Sequence, residues 1–134
     1  MKKIILIISF ICLANCCHSQ SGWVQQNSGT TANLYSVKFI NSQTGWCVGD
    51  SGKILKTTNG GISWIPSLPN YPANYRSITF TNSNIGYIIA YSGLMLKSTN
   101  MGLNWFDISF RNGVLNSLFF VNDSIGFVGG GYFV

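Results

Sequence analysis

From Leu34 onward, apolar and polar residues alternate in short runs broken every few positions by Gly, Asn and Ser, and the whole pattern recurs. Val37 and Phe39 return as Ile78 and Phe80, and again as Leu118 and Phe120, at a period of about 41 residues. Side chains two apart in a strand share a face, so each pair marks the inward face of one strand and is expected in the interior. Four strands per unit follow from the alternation between turn signals. The first covers Leu34 to Ile40, Tyr75 to Thr81 and Leu115 to Val121. The second covers Trp46 to Gly49 and Tyr87 to Ala90, closed by the turns Asp50-Ser51-Gly52 and Tyr91-Ser92-Gly93. The third covers Lys53 to Thr57 and Leu94 to Ser98, and the fourth Ile62 to Ile65 and Leu103 to Asp107. In the last unit Gly126-Phe127-Val128 matches the second strand, and Gly129-Gly130-Gly131 reads as a flexible turn.

Other markers keep the same step. Trp23, Trp64 and Trp105 are evenly spaced, as are Gly45-Trp46, Gly86-Tyr87 and Gly126-Phe127, with Asn41, Asn82 and Asn122 ahead of them. Between the third and fourth strands lie Thr57-Thr58-Asn59-Gly60-Gly61-Ile62-Ser63-Trp64 and Ser98-Thr99-Asn100-Met101-Gly102-Leu103-Asn104-Trp105. Both segments resemble the Asp-box of bacterial neuraminidase repeats, the second departing from it at Asn104. The residues that carry the motif are Thr57, Asn59, Gly61, Ser63 and Trp64, then Ser98, Asn100, Gly102 and Trp105. Their expected role is structural: the amide side chain caps backbone N–H groups of its own turn, Gly takes a left-handed conformation, and the indole covers the hairpin. The longer stretch Gly45 to Trp64 is similar to the repeats of photosystem II stability and assembly factors. That resemblance implies an all-β fold, a partial β-propeller of four-stranded antiparallel blades from about residue 21 to 134, with the Asp-box at the blade periphery and away from the binding face.

At one blade per repeat, Trp23 to Val134 amounts to about 2.7 blades, whereas propellers close with roughly 4 to 8. The expectation is therefore a truncated frame, or self-assembly through open blade edges.

Composition supports strands over helices: 14% of the residues are aromatic and 8% charged, with fifteen glycines. Met1-Lys2-Lys3 followed by the apolar run Ile4 to Leu13 reads as an export signal within residues 1–20, too short to span a bilayer. No later apolar run reaches the length of a membrane helix. Leu13-Ala14-Asn15-Cys16 looks like a bacterial lipobox, with Asn15 outside the usual set. Acylation of Cys16 as a lipid anchor, and plain cleavage between Cys17 and Ser21, stand as the two processing outcomes. Either places the protein outside the cytoplasm, secreted or in the cell envelope.

The chemistry that remains is sparse. No glutamate occurs, and Asp50, Asp107 and Asp123 fall in separate turns or strand ends, where each is expected to cap local backbone. Glycoside hydrolysis needs a carboxylate pair or an activated tyrosine, so no catalytic residue is assigned. Cys47 is expected to be a small buried hydrophobe, and no metal set or cofactor site is seen. Scattered basic residues without a run argue against nucleic acid. Tyr71, Tyr75 and Tyr91, in or near connections, are candidates for stacking on a partner. The resulting expectation is a non-catalytic exported module for protein or glycan binding or scaffolding. Two alternatives stand beside it: part of a sialidase-like glycoside hydrolase with its catalytic residues elsewhere, and an assembly factor for a membrane complex.

Overall fold

The computed structural model describes residues 24–67, 71–109 and 113–131. Cys16, the export signal and Trp23 lie outside these residues.

The chain forms two successive four-stranded antiparallel sheets and a third of two strands. The first sheet has the order β1 (Leu34–Phe39), β2 (Gly45–Gly49), β3 (Ile54–Thr57) and β4 (Ile65–Pro66); a single 3-10 turn at Asp50–Gly52 joins β2 to β3. The second repeats it as β5 (Tyr75–Phe80), β6 (Gly86–Ala90), β7 (Met95–Ser98) and β8 (Phe106–Asp107). The third pairs β9 (Val114–Phe120) with β10 (Gly126–Gly131). The first strands lie side by side, β1 against β5 and β5 against β9, which makes them the hub of a partial propeller.

Blade packing follows one rule. Trp46, Val48 and Ile54 of the first sheet join Ile78, Phe80, Ile88, Leu96 and Trp105 of the second in one buried cluster. Tyr87, Ile89 and Met95, from the other face of the second sheet, meet Leu118 and the half-buried Phe120 of the third. At each junction an aromatic residue on the second strand stacks on a phenylalanine of the next blade's first strand. The centroid distance is 4.4 Å for Trp46 on Phe80 and again 4.4 Å for Tyr87 on Phe120. These rings bury more apolar area than any other side chain class and dominate the junction energy. Across the β2–β3 and β6–β7 ladders, Lys56 and Lys97 lie over the same two aromatic rings at 5.0 and 5.5 Å.

The recurring Gly before each of these aromatics has a packing cause. Gly45, Gly86 and Gly126 pair directly with Phe39, Phe80 and Phe120. The phenyl ring lies over each glycine so closely that an added Cβ would meet it at 2.8, 2.6 and 2.6 Å respectively.

Four expectations are corrected. The fourth strands begin later than expected, at Ile65 and Phe106, and each has only two residues, because side chains already hold the N–H groups of Gly61, Ser63, Gly102 and Asn104. Gly129–Gly131 is strand and not turn: the β9–β10 ladder continues to Gly130↔Leu115 and Gly131↔Val114 through backbone pairing that needs no side chain. Tyr75 lies in β5 and is fully buried, so it is no stacking platform. Val37 and Phe39 are exposed where Ile78 and Phe80 are buried, because no sheet precedes β1 among the described residues to cover that face.

Candidate functional site

The Asp-box residues form two superimposable turns. Thr57 Oγ1 accepts from the backbone N of Gly61 (2.9 Å) and of Asn59 (3.3 Å) and donates to Asn59 Oδ1 (2.9 Å). Asn59 Oδ1 also accepts from the backbone N of Ser63 (3.0 Å), and its Nδ2 donates to Ser63 Oγ (2.9 Å). In the second turn Ser98 Oγ accepts from the backbone N of Gly102 (2.9 Å), while Asn100 Oδ1 accepts from that of Asn104 (2.9 Å). Thr57 and Ser98 are buried, and these bonds satisfy polar atoms that would otherwise be costly to enclose. Position 60 is Gly with φ +70°, and its counterpart Met101 is held at φ +59°, in the left-handed region that L side chains avoid. Trp105 is buried against Phe80 at 6.1 Å, and Trp64 meets Phe39 edge-on at 6.0 Å.

A second constellation lies on the hub strands. Each β1-type strand slips register once against its partner, between Leu34 and Ser36, between Tyr75 and Ser77, and opposite Gly129/Gly130 between Leu115 and Ser117. The residue left over in each blade is Tyr35, Arg76 and Asn116 in turn. A β-bulge of this kind takes a side chain out of the ladder's alternation and re-aims it. Arg76 places its guanidinium 4.2 Å from the centre of the Tyr35 ring and 5.4 Å from that of Tyr91, so the cation is shared between two aromatic faces. Tyr35 Oη donates to Asp50 Oδ2 (2.8 Å), and Asn33 Nδ2 donates to the same oxygen (3.0 Å). These hydrogen bonds, Asn33 first and then Tyr35, hold the Asp50 carboxyl below the usual range, with attraction from Arg76 adding to them. The backbone N of Asp50 and that of Tyr91 donate to the carbonyls of Asn33 and Asn74, which ties each β2–β3-type turn to the start of its own blade.

The sequence singled out Tyr91 but passed over Tyr35 and Arg76. Their signal was the bulge, which the residue pattern carries only as a half-step in alternation between Leu34 and Val37. The aspartates also differ from expectation: Asp50 serves the side chains of Asn33 and Tyr35, and Asp123 accepts from Asn82 Nδ2 of the neighbouring blade at 2.9 Å. Asp107 does cap locally, accepting from the backbone N of Ser109 at 2.9 Å. Tyr71 packs half-buried against the core. Cys47 is buried on the front face of the first sheet, and burial pushes its thiol up to about 11. Among the described residues, no three His, Cys, Asp or Glu side chains gather into a metal set. No helix of the described residues is long and apolar enough to cross a membrane.

Radial antiparallel blades with stacked aromatic junctions define a β-propeller of the neuraminidase-repeat type. The model of the family described as Photosynthesis system II assembly factor YCF48 matches residues 16–125, most of the sequence, and the chain belongs to that family. Two solved structures share the fold. One, described as YCF48 bound to D1 peptide, is 24% identical with a TM-score of 0.65, over 78% of this chain and 36% of that one. The other, YCF48 from Cyanidioschyzon merolae, is 24% identical with a TM-score of 0.68, over 79% of this chain and 34% of that one. The chain thus spans about a third of the length of these structures. No curated protein matches the sequence.

Proposed function

We propose that this chain is an exported, non-catalytic propeller module of the assembly-factor type, which binds a polypeptide on its hub face. The observation that carries the reading is the Tyr35–Arg76–Tyr91 stack with Asp50 beside it. A guanidinium clamped between two rings is held in place while its edge N–H groups stay available to a carboxylate or backbone carbonyl. The rings supply rigid apolar area of the sort that anchors protein interfaces. Support comes also from the family assignment and from a fold relative described with a bound peptide. Carboxylate-pair catalysis gains nothing from the geometry, since Asp50, Asp107 and Asp123 belong to three different blades and each already accepts hydrogen bonds. The Asp-box turns, in this reading, hold the blades and take no part in binding. The leader takes the protein out of the cytoplasm by either processing route, and Cys16 anchors it in the acylated form.

The test is a photo-crosslinking amino acid placed at Tyr91, which is half exposed. Irradiation in the envelope of the native host, followed by mass spectrometry, is expected to give polypeptide adducts that disappear in the Arg76→Ala protein. Carbohydrate adducts alone, or adducts indifferent to Arg76, would overturn the proposal.

A further inference from the structure

The first Asp-box turn contains the dipeptide Asn59-Gly60, the pairing in which an asparagine loses its side-chain amide most readily. The backbone N of the following residue, having given up its proton, attacks the asparagine Cγ. A bond from Gly60 N to Asn59 Cγ closes a five-membered imide, the Cγ–Nδ2 bond breaks, and ammonia leaves with the proton. Water then opens the imide at either carbonyl. One opening gives aspartate in an ordinary chain, and the other gives isoaspartate with the chain rerouted through Cγ. A Cβ on the following residue crowds the attacking nitrogen, and glycine has none.

In the folded turn both reacting groups are engaged. The backbone N of Gly60 donates to the carbonyl of Gln43, in the turn between β1 and β2, at 2.8 Å. The Asn59 amide is held at both of its atoms: Oδ1 accepts from Thr57 Oγ1 (2.9 Å) and from the backbone N of Ser63 (3.0 Å), and Nδ2 donates to Ser63 Oγ (2.9 Å). Gly60 is itself exposed, so water reaches the site and burial is not what guards it. The guard is this set of hydrogen bonds. The second turn repeats the backbone tie, from Met101 N to the carbonyl of Asn84 at 3.0 Å, but there the asparagine is followed by a residue with a side chain.

The turn also discriminates between the two products. An aspartate at position 59 keeps every contact, because the Ser63 hydroxyl turns from acceptor to donor and meets the new oxygen. Hydrogen bonds to a carboxylate are the stronger kind. Isoaspartate adds a methylene to the backbone between the N–H groups of residues 59 and 61, which Thr57 Oγ1 receives together at 3.3 and 2.9 Å. One hydroxyl cannot hold both across the longer chain.

We infer that Asn59 is a deamidation site gated by the folding of the first blade. It is silent while the turn is closed and reacts with water when the turn opens. The opened chains are then sorted into an aspartate form that refolds and an isoaspartate form that does not.

The experiment incubates the full chain at mildly alkaline pH, folded and in urea, and follows the one-dalton gain at each asparagine by peptide mapping. Asn112-Gly113, the other Asn-Gly pair of the chain, calibrates the reaction in urea. There Asn59 is expected to keep pace with Asn112 while Asn100 lags. In the folded protein Asn59 is expected to react at least about tenfold more slowly than in urea, because only the opened population reacts. Ser63→Ala removes an exposed hydroxyl and releases Nδ2, and is expected to speed the folded-state reaction at Asn59 several-fold. When urea is removed, the refolded fraction is expected to hold aspartate at position 59, with isoaspartate, read by an isoaspartyl methyltransferase, left in the chains that stay unfolded. A folded protein that reacts as fast as the denatured one, an Asn100 that keeps pace with Asn59 in urea, a Ser63→Ala protein that reacts as the parent does, or isoaspartate at position 59 in the refolded fraction would each overturn the inference.

Discussion

Trp46 lies on Phe80 with the ring centres 4.4 Å apart and the planes 33° from parallel, and Tyr87 makes the same contact with Phe120 at 20°. One aromatic pair thus recurs within the buried cluster of each junction between blades. Truncating a buried phenylalanine to alanine costs about 3 to 5 kcal/mol. Phe80→Ala is expected to fall in that range in urea unfolding, while Phe127→Ala, on an exposed ring, is expected to stay within about 0.5 kcal/mol of the parent when measured on dilute protein. Equal losses for the two would show that the stacked pair is not what holds the blades.

The Asp-box turns carry opposite strains at neighbouring positions. Gly102 has φ +70°, and a Cβ there would come within 2.7 Å of Trp46 Nε1. Gly102→Ala is expected to destabilise by roughly 2 kcal/mol or more through backbone strain and overpacking together. Met101, at φ +59°, is expected to behave the other way, Met101→Gly stabilising by about 0.5 to 1 kcal/mol. Thermal unfolding of both proteins checks the signs.

On the alkaline side Cys47 and Tyr75 set the behaviour. Burial pushes the thiol from 9.0 to about 11 and the phenol from 10.0 to about 12. A raised pKa in the folded protein means that the unfolded chain releases its proton first, so the stabilisation is complete below pH 9 and is lost as pH rises through 9 to 12. Unfolding midpoints are expected to be flat up to about pH 9 and to fall above it, with Cys47→Ala removing the earlier part of the fall. Native Cys47 is also expected to resist a thiol reagent at pH 8 until denaturant is added.

Asp50 acts in the opposite sense. Its carboxyl is lowered by hydrogen bonds from Asn33 and Tyr35, so its contribution is present above the ordinary value of 3.8 and is lost as pH falls through the folded value. Asn33→Ala is expected to move the Asp50 titration upward in an NMR experiment more than Arg76→Ala does. The reverse order would show that charge, and not hydrogen bonding, holds the carboxylate.

Much of the fold was legible because packing imposed a period on the sequence. The 2.0-residue alternation gave the inner strands, and the repeat of Trp, Gly and Asn gave the blades. Legibility failed where backbone geometry, not side-chain polarity, made the decision. Gly129 to Gly131 carry no side chain to alternate, so only the ladder with β9 could reveal them as strand. The short outer strands were hidden because Thr57, Asn59, Ser98 and Asn100 compete for the N–H groups that a ladder would use. The hub constellation was missed for a related reason. Tyr35 and Arg76 differ chemically, so no repeat marker joins them, and only the register shift shows that they hold the same place in successive blades.

That shared place separates scaffold from surface. Around the bulge the serines Ser36, Ser77 and Ser117 are constant, while the bulged residue itself is Tyr, Arg or Asn. A residue outside the ladder's alternation is not bound to one face of the sheet, so side chains as different as Tyr, Arg and Asn stand there above the same pairing. Each blade therefore presents one side chain outside the ladder's alternation, so the surface of the hub differs from blade to blade while the strand pairing beneath it stays the same.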